Sequence, residues 1–138
     1  MNFLLDTNVV SELRKGKRGD AALTRWARGV DLAACWVSAV VVLEVERGVR
    51  QLERRDSDAG LILRRWLAGE FTSRFQHRVL PVDAEVARVA ASMQVPDPLP
   101  DADALIAATA LVHGLTVVTH NVRDFQRTGV AFVDPFQT

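Results

Sequence analysis

A short apolar run ends in a carboxylate, Phe3-Leu4-Leu5-Asp6-Thr7-Asn8, and a helical pattern starts at once behind it. Strand, acid, helix is the order found where open α/β sheets bind ligands, at the carboxyl ends of their strands. The order recurs down the chain. Residues 2–5, Ala33 to Val37, Arg78 to Val82, Leu115 to Val118 and Val130 to Val133 read as strands. Pro81 cannot donate to a sheet ladder, so the third of these belongs at an edge or a strand end.

Between the strands, apolar residues recur at helical spacing. Helices are predicted over Thr7 to Arg14, Ala21 to Arg28, Ser38 to about Arg55, Asp56 or Ser57 to about Phe71, Ala84 to Met93 and Ala102 to His113. A short helical turn is predicted over Asn121 to Arg127. Asp20, Ser38 and Asp83 are expected caps, because a short oxygen-bearing side chain satisfies the free amides of a first turn. Asp101 is expected to cap the helix that follows it. Lys15 to Gly19 form a basic loop, and Pro96 to Pro100 a rigid one. Strands alternating with helices predict a single α/β domain over residues 1–138, a parallel sheet flanked by α-helices.

Composition narrows the partners. The chain has 138 residues, 49% hydrophobic and 25% charged, enough to bury a core. Its formal net charge is zero, which argues against coating nucleic acid with a global positive field but leaves room for a local basic rim. Only Lys15 and Lys17 are lysines among the 17 basic residues. Arginine suits bidentate phosphate contacts, although base composition of the genome gives the same bias. The single cysteine, Cys35, cannot form an internal disulfide, and a reducing cytoplasm is the expected compartment. No secretory leader and no membrane span is expected.

Four acids fall in comparable places. Asp6 closes the first strand, where a helix cap and an ion ligand are compatible because a carboxylate has two oxygens. Glu44 lies on the border between the polar and apolar faces of its helix, about two turns from Ser38. Asp103 sits just inside a helix that is apolar nearly all round, where an unpaired charge is costly. Asp124 follows the fourth strand, where it is either a turn acid or a fourth ligand. Asn8 is placed to hold a metal-bound water, and Thr119 and Asn121 stand at the fourth strand's end. All four acids map to one edge of the predicted sheet. Convergent carboxylates need a cation, and hard oxygen donors select Mg²⁺ or Mn²⁺. His77, His113 and His120 are isolated and have no zinc spacing. Phosphate-loop, dinucleotide and nucleophile-elbow signatures are absent.

Four segments, in order, resemble the motifs of PIN-domain ribonucleases. They are Leu4-Leu5-Asp6-Thr7-Asn8-Val9-Val10-Ser11-Glu12, Ser38 through Glu44 to Val49, Asp103 through Ala110, and Val118 through Phe125. The small form resembles the VapC type of bacterial toxin. The resemblance implies a PIN fold and a Mg²⁺-dependent endoribonuclease, with Mn²⁺ as a substitute, that hydrolyses RNA with a metal-activated water. It implies Asp6, Glu44, Asp103 and Asp124 as metal ligands, with Asn8, Thr119 and Asn121 in support. It also implies a homodimer and a cognate small DNA-binding antitoxin of the VapB type. His120 departs from the arginine-like residue common at that position. Two other readings exist. A non-catalytic PIN-fold binding module would not need the acids. An aspartyl-phosphate protein would need a second Asp where Asn8 stands, or a late lysine that the chain lacks.

Overall fold

The computed structural model describes residues 1–136. Five parallel strands form one sheet: β1 Phe3–Leu5, β2 Cys35–Ser38, β3 Val79–Leu80, β4 Thr116–Val118 and β5 Phe132–Val133. Their order is β3-β2-β1-β4-β5. β1 is therefore central, and β3 is an edge, as Pro81 requires. The helices are α1 Thr7–Leu13, α2 Ala21–Arg28, α3 Ala39–Arg55, α4 Ser57–Trp66, α5 Thr72–Phe75, α6 Ala84–Met93, α7 Asp101–His113 and α8 Val122–Gln126.

The expected caps at Asp20, Ser38 and Asp83 are present, each accepting from an amide of its own first turn. Gly114 ends α7 at φ 67°, the left-handed conformation that glycine adopts without a Cβ clash. Several boundaries differ from expectation, and β3 and β5 are shorter than predicted, only Val79–Leu80 and Phe132–Val133. The second strand starts at Cys35, because Leu32–Ala34 form a 3₁₀ turn that Asp31 caps. The basic loop contains a 3₁₀ turn at Gly16–Arg18. The helix after Asp56 does not stop near Phe71: a π turn at Leu67–Phe71 follows α4 and leads directly into α5.

The main core lies against the sheet and joins Leu4, Leu5, Val9, Val37, Val41, Val49, Ile106, Val117 and Phe125, all fully buried. Trp26, Trp36 and Trp66 are half-buried and pack against it. α7 is buried along most of its length, as its composition predicts. No helix among the described residues is long and apolar enough to cross a membrane.

α3 and α4 form a tight hairpin. Asp56 ends the first and caps the second, and Arg64 bridges Glu46 and Glu53. Gly60 is the point of closest approach: a Cβ there would lie 2.6 Å from Glu53 Cα and 2.9 Å from Glu53 N. Backbone atoms cannot swing aside. Gly60→Ala is expected to destabilise the protein by about 1–3 kcal/mol, the usual cost of overpacking. Gly69→Ala, where a Cβ would meet nothing within 4 Å, is the control and should leave the melting temperature near the parent's. Equal melting temperatures for both variants would contradict the close approach.

Candidate functional site

Sheet register assembles the centre of the site. Leu5 pairs with Val118, so the next residues, Asp6 and Thr119, leave the sheet side by side. Asp6 N donates to Val118 O at 2.9 Å, which fixes the start of α1 beside the end of β4. Asp6 is almost fully buried, and its carboxylate is held from three sides. Oδ1 accepts from Thr7 N at 2.8 Å; Oδ2 accepts from Thr119 Oγ1 at 2.8 Å and from Asn8 Nδ2 at 3.0 Å. Burial pushes its pKa up, those hydrogen bonds pull it down, and the charge of Glu44 adds to the rise.

The other acids arrive from separate elements. Glu44, half-buried on α3, accepts from Thr7 Oγ1 at 2.6 Å, so α1 aligns the second acid as well as the first. Asp103 is in the first turn of α7 and Asp124 in the first turn of α8. The Asn121 side-chain amide lies between them, donating to Asp124 Oδ2 at 2.9 Å and to Asp103 Oδ2 at 3.2 Å. Asp103 is pushed up to about 7, first by burial, then by its pairing with Asp124 and by the charges of Asp6 and Glu44. Asp124 is held below the usual carboxylate range, chiefly by the Asn121 amide. The structure thus places all four predicted acids in one electrostatically coupled group.

Thr119 and Asn121, at the end of β4, both hydrogen-bond the acids. Thr119 Oγ1 also accepts from Asn121 N at 2.9 Å. Both ends of the Asn8 amide are engaged by the protein. Its Nδ2 holds Asp6, and its Oδ1 accepts from His120 N at 3.1 Å. Thr7 carries no role in the sequence reading, yet it orients two acids. Its signal was a hydroxyl directly behind a strand-terminal aspartate.

Asp101 does not cap α7. Pro100 occupies the cap position without a side-chain bond, and Asp101 Oδ1 accepts instead from Gln94 Nε2 at 2.7 Å. The residue is exposed at the start of the helix, where Gln94 from the end of α6 competes for its oxygen. Asp101→Ser is therefore expected to cost a few tenths of a kcal/mol at most and to leave the acid group unchanged. Loss of activity in Asp101→Ser with retention in Asp103→Asn would reverse their roles.

The donor set suits a hard divalent cation. A carboxylate offers about four lone-pair sites. Oδ1 of Asp103 and Oδ1 of Asp124 accept no hydrogen bond among the described residues, and Asp6 Oδ1 accepts one. Arg47, 3.9 Å from Glu44, is the one ion-pair partner among the described residues for any of the four acids. As the side chains stand, no three acids, histidines or cysteines among the described residues are grouped closely enough to hold a metal ion.

Fold and acids together define a parallel α/β domain that presents a carboxylate group at the carboxyl ends of its central strands. Comparison supplies the family: the PIN domain model matches residues 3–131, and the chain belongs to the PIN-domain family. It is 31% identical over 143 aligned positions to VapC ribonuclease Y4jK of Sinorhizobium fredii, covering 98% of each chain. It is 31% identical to toxin FitB of Neisseria gonorrhoeae over 97% of this chain and 98% of that one. The crystal structure of FitAcB from Neisseria gonorrhoeae superposes with a TM-score of 0.90, at 30% identity over 99% of both chains.

Proposed function

We propose that this protein is the toxin of a type II toxin–antitoxin pair, a Mg²⁺-dependent endoribonuclease that hydrolyses RNA phosphodiesters, with Mn²⁺ able to substitute. The observation that carries the reading is the group of Asp6, Glu44, Asp103 and Asp124, coupled, short of cations and supplied with free oxygen lone pairs. The toxin and ribonuclease names of full-length relatives support it.

Asp6, Glu44, Asp103 and Asp124 would hold the ion. When bound, it supplies neutralisation of phosphate charge and a lowered pKa for a coordinated water. The chain's own residues set the geometry. Thr7, Asn8 and Thr119 fix the two oxygens of Asp6. Thr7 also holds Glu44. Asn121 spaces Asp103 from Asp124 with a neutral amide. In this reading the acids serve as ligands, and the attacking oxygen comes from water. A VapB-like antitoxin, itself a small DNA-binding protein, is the proposed partner, since solved neighbours include a DNA-bound VapBC complex. The proposed working form is a cytoplasmic homodimer.

The reading is tested with purified protein and total bacterial RNA. Cleavage should require added Mg²⁺ or Mn²⁺, stop with EDTA and resume when metal is restored in excess. Undiminished cleavage in EDTA would remove the metal from the mechanism. A metal-induced rise in melting temperature without any cleavage would favour a non-catalytic binding module.

A further inference from the structure

His120 lies between the two residues that hold the acid group, Thr119 and Asn121, yet its own side chain is turned outward and is 63% exposed. It is not loose. Its backbone N–H is fixed by Asn8, the same amide that holds Asp6, and its Nδ1 lies 3.5 Å from Asp134. Behind it stands Phe136, ring centroids 4.5 Å apart and planes tilted by 51°. Asp134 Oδ1 also accepts from Phe136 N at 2.9 Å, so one carboxylate steadies both rings. The result is a fixed, solvent-facing aromatic surface at the rim of a carboxylate centre.

Phe136 and Asp134 fix this ring from within the fold, and the part of it that meets water is open to a further aromatic partner. Single-stranded RNA offers what such a ring binds: unstacked bases, whose faces stack on Phe, Tyr, Trp or His. We propose that His120, backed by Phe136, is the platform on which the nucleotide adjoining the cleaved phosphate stacks its base. This rests on the ribonuclease reading above and adds to it a substrate preference: an unpaired nucleotide at the cleavage site. The recognition tolerates any base, because every base has a π face. The imidazole edge is steadied by Asp134, and Nε2, which has no hydrogen bond among the described residues, can reach the same nucleotide.

The test uses the Asp6→Asn protein, which should bind without cutting, and a short oligoadenylate with single abasic sites placed in turn. Replacing His120 by Ala in that background should weaken binding of the intact oligomer about tenfold, within the range for loss of one stacked base. The same replacement should have no effect on the oligomer whose abasic site adjoins the cleaved bond. Replacing His120 by Phe should restore binding of the intact oligomer. Melting temperatures should stay within a few degrees of the parent's, since the bond to Asn8 comes from the backbone and the His120 contacts with Phe136 and Asp134 lie at the surface. If Ala weakens intact and abasic oligomers equally and Phe gives no rescue, His120 contacts phosphate and the proposal is overturned. Binding that ignores His120 altogether also overturns it, with the ribonuclease reading intact. If the parent binds no oligomer and wild type cuts no RNA, both fall.

Discussion

Asp6→Asn and Asp103→Asn should each abolish RNA cleavage while the fold persists. Residues that merely orient ligands typically cost about 10–100-fold when removed. These two should exceed that, whereas Thr7→Val should fall within it, because Thr7 touches Glu44 without being a ligand. The fold survives because Asn keeps the shape: its one oxygen can still accept from Thr7 N, and its amide nitrogen, in the place of Oδ2, can donate to the Thr119 hydroxyl. Asp103→Asn has a second consequence. The folded carboxyl sits near 7 and the unfolded one near 3.8, so the native state binds more protons between those limits. Without metal, stability therefore falls as pH rises through that window and levels off above it. Asp6, also raised, acts in the same sense. Asp124, Glu46, Glu53 and Glu12 are lowered and act below the ordinary carboxylate range, outside the window. After screening, the loss is on the order of 1–2 kcal/mol, or about 3–6 °C in melting temperature. Thermal melts at pH 5 and pH 8 in EDTA should show a flatter dependence for Asp103→Asn than for wild type. Wild-type cleavage rates in Asp6→Asn would sink the site.

Growth is the second large effect. Expression of the wild-type chain alone in bacteria should arrest division and cut colony counts by orders of magnitude. Asp6→Asn at equal protein level should not. Co-expression of the cognate antitoxin should restore growth to the wild-type chain. Equal growth of wild type and Asp6→Asn would count against the toxin reading and leave the nuclease question to the purified protein.

What the sequence made legible was local. A cap is decided within one turn, so Asp20, Ser38 and Asp83 could be read from their neighbours. Pro81 marked an edge strand because it lacks a donor. Asp6 ends a strand, and Glu44 and Asp124 lie on helices that leave strands, so their side of the sheet could be read; Asp103 instead opens the helix that runs back into β4. What could not be read depended on partners distant in sequence. Asp101 looked like a cap until Gln94 claimed its oxygen across the α6–α7 connection. Thr7 had no visible role because Glu44 is 37 positions away. Asn8 seemed free for solvent because nothing local reveals that His120 N arrives opposite it. The continuation of α4 into a π turn and α5 is likewise set by Phe71 and Phe75, whose burial belongs to the core rather than to helix propensity.

The position of β1 bears on when the protein becomes dangerous. Its neighbours are β2 on one side and β4 on the other, and the acids come from positions 6, 44, 103 and 124. Contacts so far apart in the chain form late, after loop closure has been achieved. No early folding fragment contains the whole acid group. A chain emerging from the ribosome passes through a long interval in which β1 and β2 can pair while β4 is still unmade. A complete acid group thus cannot precede synthesis of residue 124, and an inhibitor made alongside it has that interval in which to accumulate.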